Sequence, residues 1–130
     1  MAINPGFAAT PRCAVGQVST ANTNRDGTGT IATIFTAGSS GSRIENVRIV
    51  GTGTTTAGVV RLFINDGSNT RLFWEEMVTA ITPSASVEVY NATLDFSANG
   101  STILLPNGYS IRASTQNAET FNVFVFGGDF

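Results

Sequence analysis

Residues 59–78, VVRLFINDGSNTRLFWEEMV, decide the fold class. Two runs dense in β-branched and aromatic residues, 59–64 and 72–78, flank the stretch NDGSNT. Its Asn and Asp side chains can bond to nearby backbone and its glycine can take a positive φ, as a tight reversal requires. The segment therefore reads as an antiparallel hairpin. Centring the turn on Ser68 sets Leu62 opposite Trp74 and Ile64 opposite Leu72 on one face, with Phe63 opposite Phe73 and Arg61 opposite Glu75 on the other. Each pair is apolar or of opposite charge and contributes roughly 0.2–1 kcal/mol. A slip of one residue would carry the whole apolar set to the wrong face, so this register is the expected one.

The same grammar extends outward. Upstream, Ile31, Thr33 and Phe35 alternate with Ala32 and Ile34 up to the AGSSGS turn, and Ile44–Val50 alternates again before GTGTTTAG. Downstream of ITPSAS, Val87–Phe96 reads as a long strand broken by SANGS. Ile103–Leu105 is short, PNG turns the chain, and Tyr109, Ile111 and Ala113 alternate with Ser110 and Arg112. Thr120–Phe126 closes the series, with Phe121, Val123 and Val125 on one face and Asn122, Phe124 and Phe126 on the other. Near the N-terminus, Ala14–Thr20 is a candidate strand followed by the polar loop ANTNRDGTGT. Residues 1–13, MAINPGFAATPRC, show neither strand nor helix period and read as an extended arm.

Roughly eight or nine strands with turn signals about every 8–12 residues, and no segment with apolar residues at i, i+3, i+4 and i+7, predict an all-β protein. The expected architecture is a two-sheet antiparallel sandwich of jelly-roll type, a single domain over residues 14–130 preceded by the arm, although Greek-key sandwiches share this signature. At 130 residues and 13.6 kDa, one core is enough.

Composition narrows the function. The chain is 42% hydrophobic but only 12% charged, against about 25% in average globular usage, so Ser, Thr, Asn and Gly must build much of the surface. There is no lysine and no histidine, every basic residue is arginine, and the net charge is -2. Without those two side chains, Ser/His/Asp and Cys/His arrangements, phosphate-loop lysines and Schiff bases are excluded. Adjacent Glu75 and Glu76 point to opposite faces of a strand and cannot share a substrate; a pair of Glu76 with Glu88 or Asp95 would need adjacent strands. An enzyme is not expected, and neither is a cofactor. The missing basic stripe argues against nucleic acid.

The first ten residues lack the features of a secretory signal. No apolar run approaches the roughly 18 residues that a membrane span needs. A soluble product without membrane partners is expected. Cys13, the single cysteine, excludes an intrachain disulfide and reads as a small buried or semi-buried thiol.

Weaker signals have plainer readings. Asn22, Asn24, Asp26 and Gly27 match the first half of a calcium loop, but its twelfth position is Thr33 rather than glutamate, so no metal is expected and a self-capped polar turn is preferred. Asn91 and Asn99 lie in glycosylation sequons that matter only along a eukaryotic secretory route. Phe73, Trp74, Tyr90 and Tyr109 could form a sugar platform, but their place in alternating strands favours the core. Phe124, Phe126 and Phe130 differ, because a closing strand with two apolar faces implies a cover, either the arm or another copy of the chain. A homo-oligomer, with a trimer favoured, is expected on that ground.

Two segments, GTGTTTAGVVRLFINDGSNTRLFWEEMVTAITPS (51–84) and LLPNGYSIRASTQNAETFNVFVFGGDF (104–130), resemble small β-rich virion structural proteins of tailed bacteriophages, the likeness covering roughly residues 44–130. The resemblance implies a capsid decoration or cement protein, made in the bacterial host cytoplasm and located on the capsid surface, with the major capsid protein and further copies of itself as partners. The alternatives are a receptor- or carbohydrate-binding head of a tail fibre or baseplate, or a tail or neck adaptor. No catalytic or ligand residue carries over. The candidate interface residues are Phe7 and Arg12 in the arm, Arg43 and Arg48 as fork donors to acidic surfaces, and Phe124, Phe126 and Phe130.

Overall fold

The computed structural model describes residues 9–96 and 102–130, and these contain strands, turns and loops but no helix. Nine strands run through them: β1 (Thr10–Val18), β2 (Ala32–Thr36), β3 (Ser42–Gly51), β4 (Gly58–Asn65), β5 (Thr70–Val78), β6 (Asn91–Asp95), β7 (Ile103–Leu105), β8 (Ser110–Thr115) and β9 (Phe121–Asp129). They form two antiparallel sheets packed as a sandwich. Sheet A has the order β1-β9-β3-β6 with β7 also on β3, and sheet B the order β2-β8-β4-β5. Because β9 takes one edge of β3, β6 and β7 share the other: Asn46–Val50 pair with β6 and Ser42–Ile44 with β7. They therefore lie end to end along that edge of β3.

Alternation places the core. Val47, Ile49, Phe121, Val123 and Val125 from sheet A meet Phe35, Val60, Leu62, Ile111 and Ala113 from sheet B, all buried. Burying each of the larger aliphatic side chains contributes about 1.5–3 kcal/mol relative to leaving it in water.

Three β-bulges reset that alternation, and they explain where strict period-2 reading of the sequence fails. In the β4–β5 hairpin the expected pairs Arg61↔Glu75 and Leu62↔Trp74 form, but a bulge then sets Phe63 opposite Leu72 and Ile64 opposite Arg71. Phe73 is the extra residue. It and Trp74 both pack on Phe96, with ring centroids at 6.4 and 6.0 Å, so the bulge moves a second aromatic toward the core. The turn centres between Gly67 and Ser68 rather than on Ser68: Gly67 takes φ 97°, and Asp66 Oδ1 accepts the Ser68 and Asn69 amides. In β2 a register shift between Thr33 and Phe35 leaves Ile34 and Phe35 both buried, where alternation sets them on opposite faces. In β3 the shift between Ile44 and Asn46 lets Ile44, Val47 and Ile49 all reach the core. Beside it β9 approaches so closely that a methyl group at Gly127 would meet the Arg43 carbonyl oxygen.

Two strand boundaries differ from expectation. β1 begins at Thr10, so Thr10–Cys13 are no part of a free arm: they pair with Asp129–Phe126 across the sheet. The remainder of the expected arm, residues 1–8, lies outside the described residues. The long strand expected from Val87 is strand only from Asn91; Val87 instead makes an isolated bridge to Ser84 that closes the loop after β5.

The outer faces of the two sheets are treated differently. Sheet B is crossed by the loop of residues 21–30: the Asn22 amide donates to the Thr115 carbonyl at 2.8 Å, the Asn22 carbonyl accepts from Arg61, and Gly27 sits against the Thr70 carbonyl. Arg61 and Phe63, which alternate with inward Val60 and Leu62, are fully buried on this face. Sheet A shows no such cover among the described residues, since Val15 on β1 is 60% exposed and Cys13 is exposed.

Candidate functional site

The outer face of sheet A is assembled by register. Phe124 and Phe126, two apart on β9, project from the same side, and their rings stack with centroids 6.1 Å apart and planes 5° from parallel. Phe124 lies opposite Val15 on β1 and Arg48 on β3; Phe126 lies opposite Cys13 and Asn46. The result is an apolar stripe across β1 and β9 bordered by polar groups on β3 and β6. Arg48 Nη1 donates to Thr93 Oγ1 at 2.7 Å, which turns the guanidinium toward β6. Gln17 and Asn122 bond across the strands at 2.9 Å and close one end of the stripe.

Of the seven candidate interface residues, this face unites Phe124, Phe126 and Arg48. Arg12 is held within the molecule: its Nη1 donates to the Thr36 carbonyl at 2.7 Å and to Asp129 at 3.2 Å, and its guanidinium lies 4.2 Å from the centre of the Phe35 ring. Its fork therefore ties β1 to β2 and β9. Arg43 Nε is bonded to Glu45 at 2.9 Å. Phe130 lies beyond the end of β9, its amide donating to the Gly41 carbonyl at 3.1 Å. Phe7 lies outside the described residues. Cys13, expected to be buried or semi-buried, is exposed because β1 begins earlier than the sequence pattern indicated and its side chain falls on the outward phase.

A second cluster lies on the outer face of sheet B. Arg61 is 1% exposed, yet each part of its guanidinium has a partner. Its Nε donates to Glu75 Oε2 at 2.8 Å, Nη1 to the Asn22 carbonyl at 3.0 Å and Nη2 to Gln116 Oε1 at 2.6 Å. Arg25, from the covering loop, donates its Nε to the same Glu75 oxygen at 2.6 Å. The Arg25 hydrogen bond, with Arg61 adding to it against the opposing effect of burial, holds the Glu75 carboxyl below the ordinary glutamate range. Beside these groups opens a groove of about 570 Å³.

The remaining sequence candidates resolve into structural roles. Asn22 is buried and bridges its own loop, donating to the Thr28 and Thr30 carbonyls and accepting the Asn24 amide. Asp26 accepts the Thr28 hydroxyl and amide, which holds its carboxyl below the usual range. The stretch is thus a set of side-chain caps, and no cluster of three His, Cys, Asp or Glu capable of holding a metal occurs among the described residues. Glu75 and Glu76 diverge: one meets Arg61, the other accepts the Trp74 indole N–H at 3.1 Å. Tyr90 is buried, donates to the Met77 carbonyl at 2.6 Å, and meets Phe121 edge-on. Burial, with the Glu76 charge adding to it, pushes its hydroxyl pKa up to about 12. Trp74 is 41% exposed and is the most open of Phe73, Trp74, Tyr90 and Tyr109, the four candidates for a sugar platform.

Sequence reading missed Val15 and Cys13 as members of the sheet A face, because neither is adjacent in sequence to Phe124. It also missed the Arg25–Glu75–Arg61–Gln116 constellation, which joins the β4–β5 hairpin to the 21–30 loop and to the segment after β8. The Arg61↔Glu75 pairing in the hairpin was the one signal that pointed to it. No protein-family model matches the chain, and no curated protein matches it.

Proposed function

We propose that the protein is a phage virion structural component, a capsid decoration or cement protein whose copies join through the outer face of sheet A and bind the shell as a multivalent oligomer. The observation that carries this reading is the stacked Phe124–Phe126 pair beside exposed Val15, an apolar stripe on a face that has no cover among the described residues. Aromatic residues flanked by an arginine are the composition of interface centres, and lysine, absent from this chain, is the residue interfaces avoid. The resemblance of residues 51–84 and 104–130 to phage structural proteins supports the same reading. The pairing of the terminal strands β1 and β9 and the alternation of β1–β4 between the two sheets are compatible with a jelly roll, an architecture used by viral shells as well as lectins. A clamp needs repeated contacts more than strong ones: several weak contacts made by one oligomer multiply into tight attachment.

Cys13 provides the test without any engineering, since it is the single cysteine, is exposed, and lies opposite Phe126. Its maleimide labelling should slow as protein concentration rises and copies associate. Purified protein should co-sediment with expanded, tailless capsids, and virions should hold it in hundreds of copies. A Phe124→Ser/Phe126→Ser variant should remain folded, label at a concentration-independent rate and lose capsid binding. Labelling independent of concentration in the parent protein, or a few copies per virion with binding to host cells, would sink this assignment. The latter result would favour the receptor-binding head, with Trp74 the first aromatic to mutate.

A further inference from the structure

The groove on sheet B carries its own chemistry, and it lies on the opposite side of the sandwich from the face assigned above to oligomer contacts. Its floor is Arg61 and its rim carries Arg25 and Gln116, with Met77 and Val59 as apolar walls. Two guanidinium groups converge on one oxygen of one carboxylate, Glu75 Oε2. The three charged groups sum to one surplus positive charge.

Donors are also in surplus. Arg61 spends its donors on Glu75, Asn22 and Gln116. Arg25 uses only Nε within the described residues, and its side chain is 62% exposed. The two terminal nitrogens of Arg25 thus remain as an end-on fork, the geometry that accepts a carboxylate bidentately. Gln116 reinforces it. Because Arg61 can only donate, it must face the Gln116 oxygen, which fixes the amide so that its NH₂ group remains to donate elsewhere. Met77, 74% exposed, gives the ligand an apolar wall. A volume of about 570 Å³ falls within the range of small-molecule sites, roughly 300–1,000 Å³.

We infer that this groove binds a carboxylate group, with the Arg25 fork and the Gln116 amide as its donors and the buried Arg61 as the fixed charge beneath. The carboxylate can come from a sugar acid or from an acidic side chain of a protein, and the two sources are separable by experiment. Isotope-labelled protein is titrated with sodium glucuronate in one arm and with N-acetyl-glutamate methylamide in another, against glucose and N-acetyl-glutamine methylamide as neutral controls. The Gln116 side-chain amide and the Arg25 Nε–H are followed by NMR. We expect saturable shifts at these two groups for at least one acid, with a dissociation constant of about a millimolar, weakening with added salt, and none for the controls. The arm that binds more tightly identifies the source. Arg25→Gln should weaken binding at least about tenfold, the loss of a charge-assisted bidentate pair. Gln116→Glu keeps an acceptor for Arg61 but replaces the donor with a negative charge, and should abolish binding while the fold persists. Absence of shifts with either acid, equal shifts with the neutral controls, or undiminished binding by both variants would overturn the inference.

Discussion

Replacing Arg61 with methionine should cost far more stability than its place beside a surface groove implies. The side chain is 1% exposed and holds together three segments, through Glu75 on β5, the Asn22 carbonyl in the covering loop, and Gln116 after β8. Methionine fills most of the volume but donates nothing. Glu75 keeps Arg25 and reaches water, and the Gln116 amide can turn to solvent. The Asn22 carbonyl stays in a buried setting without its donor, a penalty of about 1–3 kcal/mol. The charged hydrogen bond to Glu75 removes a further 1.5 kcal/mol or so, and the added apolar burial of methionine offsets part of the sum. The net loss is about 3 kcal/mol, in keeping with the single-partner removal of buried ion pairs. For a chain of 130 residues that is a fall in Tm of roughly 10 °C. Urea denaturation followed by the one tryptophan, which packs edge-on against Phe96, reads it directly. Arg25→Met is the control: that arginine bonds the same carboxylate from a largely exposed position, and its removal should cost at most about 1 kcal/mol. Arg61→Met indistinguishable from the parent, or Arg25→Met equally destabilised, would refute the idea that the covering loop is held down by a buried charge.

Other outcomes follow from the same geometry. Gly127→Ala should destabilise by about 1–3 kcal/mol through strand separation, because the new methyl group meets the Arg43 carbonyl, whereas Gly53→Ala, with nothing within 4 Å, should be tolerated; chemical denaturation of both variants checks the contrast. Glu75 has its folded pKa below the ordinary value, so its contribution is present above the ordinary glutamate range and disappears as pH falls through the lowered one. Glu75→Gln should therefore flatten the acid limb of the stability–pH curve. Tyr90 has the opposite sign: raised to about 12, it stabilises fully below the ordinary tyrosine value near 10 and loses that contribution as pH climbs toward 12. Tyr90→Phe should lose about 1 kcal/mol at neutral pH with the Met77 hydrogen bond, and should show a shallower alkaline decline in thermal scans.

The amino-acid order determined the all-β character, the two-sheet sandwich and the inner face of β9, because period-2 alternation is a local consequence of strand geometry and survives any arrangement of neighbours. It likewise determined the Arg61↔Glu75 and Leu62↔Trp74 pairs, which lie on the far side of the bulge from the turn. Beyond Trp74 the pattern misleads, since a bulge depends on what the displaced residue meets, and Phe73 meets Phe96 from the other sheet. Ile34 and Glu45 sit at register shifts for the same kind of reason. Which outer face is covered was beyond the sequence altogether: loop 21–30 reads as a polar excursion until Asn22 is seen on Thr115 and Arg25 on Glu75. The sheet A stripe and the sheet B groove join side chains separated by tens of residues, and their charge and exposure are properties of distances that only the packed chain creates.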